Sequence, residues 1–138
     1  MQILYKTQAT ATGGRQGQVR TEDGVLDMRL ALPRELGGPG HAHSNPEQLF
    51  AAGFAACFDN ALTHVASQRK LRLQGTVVTA HIGLGSLEQG GFGLSARLDI
   101  HIPGVSSSVA QELIEATEKV CPYTNAIRGN VPLELVLI

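Results

Sequence analysis

The most regular apolar pattern in the chain begins at residue 49. Leu49-Phe50-Ala51-Ala52-Gly53-Phe54-Ala55-Ala56-Cys57-Phe58 has almost no polar face. A helix that is apolar nearly all round is a buried one, and polarity returns only near Ser67-Gln68-Arg69-Lys70. The run predicts a helix of roughly five or six turns, with its first half in a core or an interface. Ser44-Asn45-Pro46-Glu47 marks its start, with Glu three residues after Ser as in a capping box and Pro in the first turn.

Alternation predicts strands elsewhere. Tyr5 to Ala11 and Gln18 to Thr21 flank the turn-prone Thr12-Gly13-Gly14, and Val25 to Leu32 ends at Pro33. Gly37-Gly38-Pro39-Gly40 reads as a loop. Gln74 to Leu84 and Gly93 to Ile102 form two long strands around the turn Glu88-Gln89-Gly90-Gly91, and Leu133 to Leu137 is a closing strand. Between them, Val109, Leu113, Ala116 and Val120 make a helical stripe with Ser108 and Gln111 as a capping pair. Pro122 ends or kinks that helix beside Cys121. Helices segregated from hairpin-like strands predict an α+β fold, in a single domain over residues 1–138.

Composition narrows the function classes. Hydrophobic residues make up 43% and charged residues 17%, which is ordinary for a globular chain. The net charge is -1 and no Lys/Arg cluster stands out, which argues against nucleic acid or an anionic membrane as partner. No apolar run is read as a membrane span and the N-terminus lacks the plan of a secretory signal, so a cytosolic (cytoplasmic) location is expected. In a reducing compartment a purely structural disulfide is unusual. The two cysteines are then either inert buried thiols or a working dithiol. His41, His43 and His64 match no zinc spacing, so no metal is expected.

The cysteines are not equivalent. Cys57 lies 11 residues beyond Pro46, too far for the helix dipole to help it. A thiol in apolar surroundings has a raised pKa, so a reactive Cys57 needs a cation brought from elsewhere. Cys121, at the negative end of the second helix, is the poorer nucleophile and the better resolving thiol.

Three blocks carry a family resemblance. They are Ala11-Thr12-Gly13-Gly14-Arg15 with Thr21-Glu22-Asp23-Gly24, Asn45 to Phe58, and Val120-Cys121-Pro122-Tyr123-Thr124-Asn125-Ala126-Ile127-Arg128-Gly129-Asn130-Val131. In order and spacing they resemble the organic hydroperoxide resistance branch of the OsmC-like superfamily. The resemblance implies an OsmC-like fold, with antiparallel strands around a long central helix plus a second helix, in an intertwined homodimer. It implies a thiol-dependent peroxidase of alkyl and fatty-acid hydroperoxides that serves the response to oxidative stress. The family's peroxidatic cysteine falls on Cys57, its resolving cysteine on Cys121, its arginine on Arg15 and the acid that holds it on Glu47. The resemblance also implies no bound cofactor and, as reductant, a protein-bound lipoyl dithiol on a lipoylated partner. Phe54 stands where Tyr is also expected, a difference of one phenolic hydroxyl.

Peroxide chemistry explains these residue types. A guanidinium beside sulfur favours thiolate and donates to the peroxide oxygens as charge develops. A carboxylate opposite it fixes its planar fork. Phe50, Phe54, Phe58 and Ile127 can wall an alkyl tail, or be plain core. Glu47 and Cys57 are 10 residues apart, roughly 15 Å on a straight helix. A bend near Gly53, a spanning Arg15, or a site shared across a dimer interface would join them, and the last is preferred. Asp59 and His64 read as surface or interface residues, and Asn125 and Arg128 receive no role. A thiol-based peroxide sensor and a small-molecule or lipid-binding module remain the alternatives from other classes.

Overall fold

The computed structural model describes residues 1–40 and 42–138, so His41 lies outside the described residues. The chain is α+β and forms two compact units, Met1–Leu49 and Phe50–Ile138.

The first unit holds a three-stranded antiparallel sheet of β1 (Ala9–Thr12), β2 (Gln18–Thr21) and β3 (Asp27–Arg29), in that order. Ala9 pairs with Thr21 and Gln18 with Arg29. The outer strands are shorter than the alternation predicts. Polar side chains bond Thr21, Asp23 and Leu26 into a turn that consumes Val25 and Leu26. Between β1 and β2 the chain makes one 3-10 turn, Gly14–Gln16. A Cβ on Gly17 would stand 1.7 Å from the Thr12 carbonyl oxygen, so this tight return requires glycine. The turn presents Arg15. Within this unit only Leu30 and Ala31 are buried hydrophobics among the described residues.

Helix α1 (Pro46–Gln68) runs unbroken from the end of the first unit into the second. Its cap is shifted by one residue from the predicted one: Asn45 Oδ1 accepts from the Gln48 N–H at 2.8 Å. Asn45-x-x-Gln48 also fits a capping pattern, and Pro46 decides the frame by taking the first helical position. The shift leaves Glu47 in the first turn with no capping duty.

In the second unit β4 (Val77–Ser86) and β5 (Phe92–His101) form a hairpin with Val77 opposite His101 and Ser86 opposite Phe92. After β5 come α2 (Ser107–Val120), a short α3 (Pro122–Ile127) and β6 (Leu133–Leu137). β6 pairs parallel to β5 rather than antiparallel, because the helical crossover returns the chain to the sheet in the same direction. Alternate β5 residues Ala96, Leu98 and Ile100 face the core with Phe54, Phe58, Leu62 and Leu113. Each large side chain buried this way contributes roughly 1.5–3 kcal/mol.

Helix α2 departs from prediction in phase. Ser106, not Ser108, caps it by accepting from the Val109 N–H at 3.3 Å. Its buried face is Ala110, Leu113, Ile114 and Thr117, while Val120 is exposed. Thr117 joins the core because its hydroxyl donates to the Leu113 carbonyl at 2.7 Å, a satisfaction that polarity alone does not reveal.

α1 is long and apolar enough to cross a membrane on length and composition alone. Phe54, Phe58, Ala61, Leu62, Val65 and Ala66 instead bury its middle and C-terminal part in the core. Its first half is different: Ala52 and Ala56 are exposed, and Leu49, Phe50, Ala51 and Ala55 half-buried. In that half Phe54 is the residue buried in the core, with Phe50 and Cys57 packed against it.

Candidate functional site

Cys57 follows Phe54 by three residues and precedes Phe58 by one, which sets it at the border of the buried face of α1. It is half-buried, whereas Cys121 is fully buried. Both are free thiols, and their sulfurs lie 3.7 Å apart. That is van der Waals contact between groups 64 residues apart in sequence.

Cys121 sits where two helices meet. Its N–H closes α2 on the Thr117 carbonyl at 2.9 Å, and its carbonyl accepts the Asn125 N–H at 3.1 Å in α3. Pro122 does end α2, but it also opens α3 at a first position that needs no N–H. The last carbonyls of α2 are satisfied from α3. The Thr124 hydroxyl lies 2.6 Å from the Glu118 carbonyl and 2.8 Å from that of Cys121. Arg128 donates to the Glu118 carbonyl at 3.0 Å, and the Asn125 amide to that of Lys119 at 3.3 Å. Asn125 and Arg128, without a role from sequence, thus pin the corner that carries Cys121.

Burial pushes the Cys57 thiol up. The main-chain N–H of Tyr123, hydrogen-bonded to the sulfur, acts the other way, and the neighbouring Cys121 raises it again. The Tyr123 donor was not legible in sequence, since every residue but proline carries an N–H. The Tyr123 ring packs on Phe50 and Phe54, with centroids 6.0 and 5.9 Å away. Of the four apolar residues expected to wall a substrate, Phe54, Phe58 and Ile127 are buried and Phe50 keeps some exposed surface.

In the first unit Arg15 and Glu47 make a two-pronged pair: Nη1 donates to Oε2 at 2.8 Å and Nη2 to Oε1 at 2.6 Å. The Arg15 hydrogen bond holds the Glu47 carboxyl below its usual range, against the upward push of burial. The same bond raises the guanidinium's pKa, so Arg15 is a permanent cation. The structure therefore assembles the four predicted polar residues as two pairs, a dithiol in one unit and an oriented cation in the other.

Among the described residues no group of three or more His, Cys, Asp or Glu is arranged to hold a metal. His64 instead contacts Gln68 on its own helix at 3.1 Å, and Asp59 accepts from Thr76 at 2.7 Å.

Residues 38–136 match the family model of OsmC-like proteins. The chain is 48% identical over 136 residues to the organic hydroperoxide resistance protein of Xanthomonas axonopodis pv. citri, covering 98% of this chain and 95% of that one. It is 38% identical to the organic hydroperoxide resistance protein OhrB of Bacillus subtilis, covering 97% and 98%. A solved organic hydroperoxide resistance protein from Legionella pneumophila has a TM-score of 0.95 at 48% identity, covering 99% and 98%. A putative one from Vibrio cholerae, with captopril bound in one of its active sites, also has 0.95, at 47% identity, covering 99% and 94%.

Proposed function

This chain belongs to the OsmC-like family, in its organic hydroperoxide resistance branch, and from that premise we propose that it is a thiol peroxidase reducing organic hydroperoxides to alcohols. The Cys57 thiolate attacks the outer oxygen of ROOH. The O–O bond breaks, Cys57 becomes a sulfenic acid, and the alkoxide takes a proton and leaves as ROH. The Cys121 thiol then condenses with the sulfenic acid, releasing water and forming a disulfide that protects Cys57 from further oxidation. A dithiol reduces that bond by exchange and is itself oxidised to a disulfide.

The observation that carries this reading is the 3.7 Å separation of the two sulfurs. A disulfide needs about 2.05 Å, so resolution asks for a small closing movement. Burial of Cys121 beside a half-buried Cys57 supports Cys57 as the first nucleophile. Arg15, held by Glu47, is the cation that steadies the thiolate and the peroxide, in the same copy or across a dimer. Phe50, with Phe54, Phe58 and Ile127 behind it, forms an apolar flank for the alkyl group.

The donor in this reading is a lipoyl dithiol on a lipoylated protein, whose apolar arm suits that flank. The working form is a homodimer. A first unit in which, among the described residues, only Leu30 and Ala31 are buried hydrophobics needs covering, and so does the exposed apolar start of α1. A reducing cytoplasm suits two free thiols.

One equivalent of an alkyl hydroperoxide tests the chemistry. Loss of both thiols, with a Cys57–Cys121 disulfide found by peptide mass mapping, is the expected result. Thiols left intact after peroxide addition would refute it. Sedimentation at twice the chain mass is expected, and a monomer would refute the dimer.

A further inference from the structure

The Cys57 and Cys121 sulfurs stand 3.7 Å apart as free thiols. A disulfide needs about 2.05 Å, so this is not the spacing of the oxidised pair. It is close to the spacing of two thiolates on one bent centre. Two sulfurs bonded at about 2.3 Å to a tetrahedral ion lie about 3.8 Å apart, and the same bonds on a linear centre would set them about 4.6 Å apart. The geometry selects a bent thiophilic atom over a linear one.

The surroundings decide between a metal ion and a metalloid. A tetrahedral ion takes four ligands, yet among the described residues no group of three or more His, Cys, Asp or Glu is arranged to hold one. Asp59, on the same helix as Cys57, is bonded to Thr76, and Glu118, before Cys121, is paired with Arg128. Arsenic(III) in an organoarsenical needs only two sulfurs, because its third bond is already to carbon. Its pyramidal bonds draw two sulfurs slightly closer than tetrahedral ones do, so only a short closing movement is required. The carbon substituent has an apolar surface to lie on. Phe50 stands two turns before Cys57 on one stripe of α1, and its ring meets that of Tyr123 at 6.0 Å. Phe50 is half-buried and Tyr123 is exposed. Half-buried Cys57 admits the arsenic, and fully buried Cys121, in contact behind it, closes the ring.

We propose that the reduced Cys57–Cys121 pair is a chelating site for trivalent organoarsenicals, with arsenic bridging the two sulfurs and its organic group on the Phe50–Tyr123 flank. With R–As=O, two As–S bonds replace the bonds to oxygen. The oxygen leaves as water with the two thiol protons, and no atom changes oxidation state. The disulfide form has no thiol to offer and takes up none. A chain that holds arsenic is blocked in any chemistry of the pair. The site goes beyond the peroxidase reading and shares with it only the dithiol.

Phenylarsine oxide added to the reduced full chain in one equivalent tests this. Both thiols should be lost to titration, and the intact mass should rise by one phenylarsine oxide less one water per chain. 2,3-Dimercaptopropanol should strip the group, whereas glutathione at equal thiol concentration should not, because only the first matches the chelate. Cys57→Ser and Cys121→Ser should each bind at least about 100-fold more weakly, with circular dichroism confirming their folds. Protein oxidised with diamide to the Cys57–Cys121 disulfide should bind none. Zn2+ at the probe's concentration should not protect the thiols. Affinity in either variant equal to that of wild type overturns the proposal, as does an adduct that consumes one thiol. Protection by Zn2+ would also overturn it, since that needs a fuller ligand set. If either variant does not fold, wild-type stoichiometry and the oxidised control decide. Protein that binds the probe yet forms no disulfide with an alkyl hydroperoxide would uphold this site and refute the peroxidase reading.

Discussion

Arg15 grips Glu47 through two parallel hydrogen bonds of 2.8 and 2.6 Å, across 32 residues of sequence. That geometry orients the guanidinium fork rather than merely neutralising it. Asn45 provides the side-chain cap of α1, so orientation and helix stability fall on different residues.

The two roles should separate by mutation. Glu47→Gln keeps one acceptor and loses the charge, and is expected to slow peroxide reduction about tenfold or more with little change in melting temperature. Asn45→Ala should cost about 1 kcal/mol of stability and leave the rate of Cys57 oxidation near that of wild type. Stopped-flow oxidation beside thermal melts checks both. Equal loss of stability in the two variants would contradict the division.

The Glu47 carboxyl also predicts a pH effect on stability. Its pKa is depressed in the folded state, chiefly by the bond from Arg15. A depressed carboxyl contributes stability that is fully present above its unfolded value and lost as pH falls through the lower folded value. Because the Arg15 side chain is 37% exposed, screening limits the effect to below about 1 kcal/mol. Urea midpoints measured below about pH 4.3 should therefore fall more steeply for wild type than for Glu47→Gln. Parallel curves would show that the pair contributes nothing.

The corner around Cys121 makes a kinetic prediction. Arg128→Ala removes a donor from the Glu118 carbonyl and should cost about 1 kcal/mol. The first attack by Cys57 should keep its rate, while closure of the disulfide slows. Rapid-quench mass mapping that separates sulfenic acid from disulfide reads the two steps. A slowed first step with unchanged closure would contradict this placement.

Cys121→Ser should complete one attack and then stall, with Cys57 advancing to sulfinic acid under excess peroxide. Cys57→Ser should consume no peroxide. A Cys121→Ser protein that keeps wild-type turnover would remove Cys121 from the cycle.

Much of this architecture is legible in the chain because strong patterns mark it. The apolar run before Ser67 predicts α1, and the long alternating stretches around Gly90-Gly91 predict the β4–β5 hairpin. The pairing of Arg15 with Glu47 and of Cys57 with Cys121 follows the family resemblance, and the structure brings each pair together. What escaped has physical reasons. Two overlapping capping patterns compete before Pro46, and only the preference of proline for the first helical position separates them. Pro122 reads as a stop although it also starts α3. Thr117 reads as polar although an internal hydrogen bond lets it be core. The Tyr123 amide leaves no mark in the sequence at all.

Steady-state consumption of an alkyl hydroperoxide, with dihydrolipoamide, thioredoxin and glutathione compared as reductants, bears most directly on the function proposed for the Cys57–Cys121 pair. Rapid turnover with dihydrolipoamide, and little with the other two, is the predicted result. No turnover with any donor, in protein whose Cys57 is titratable, would contradict it.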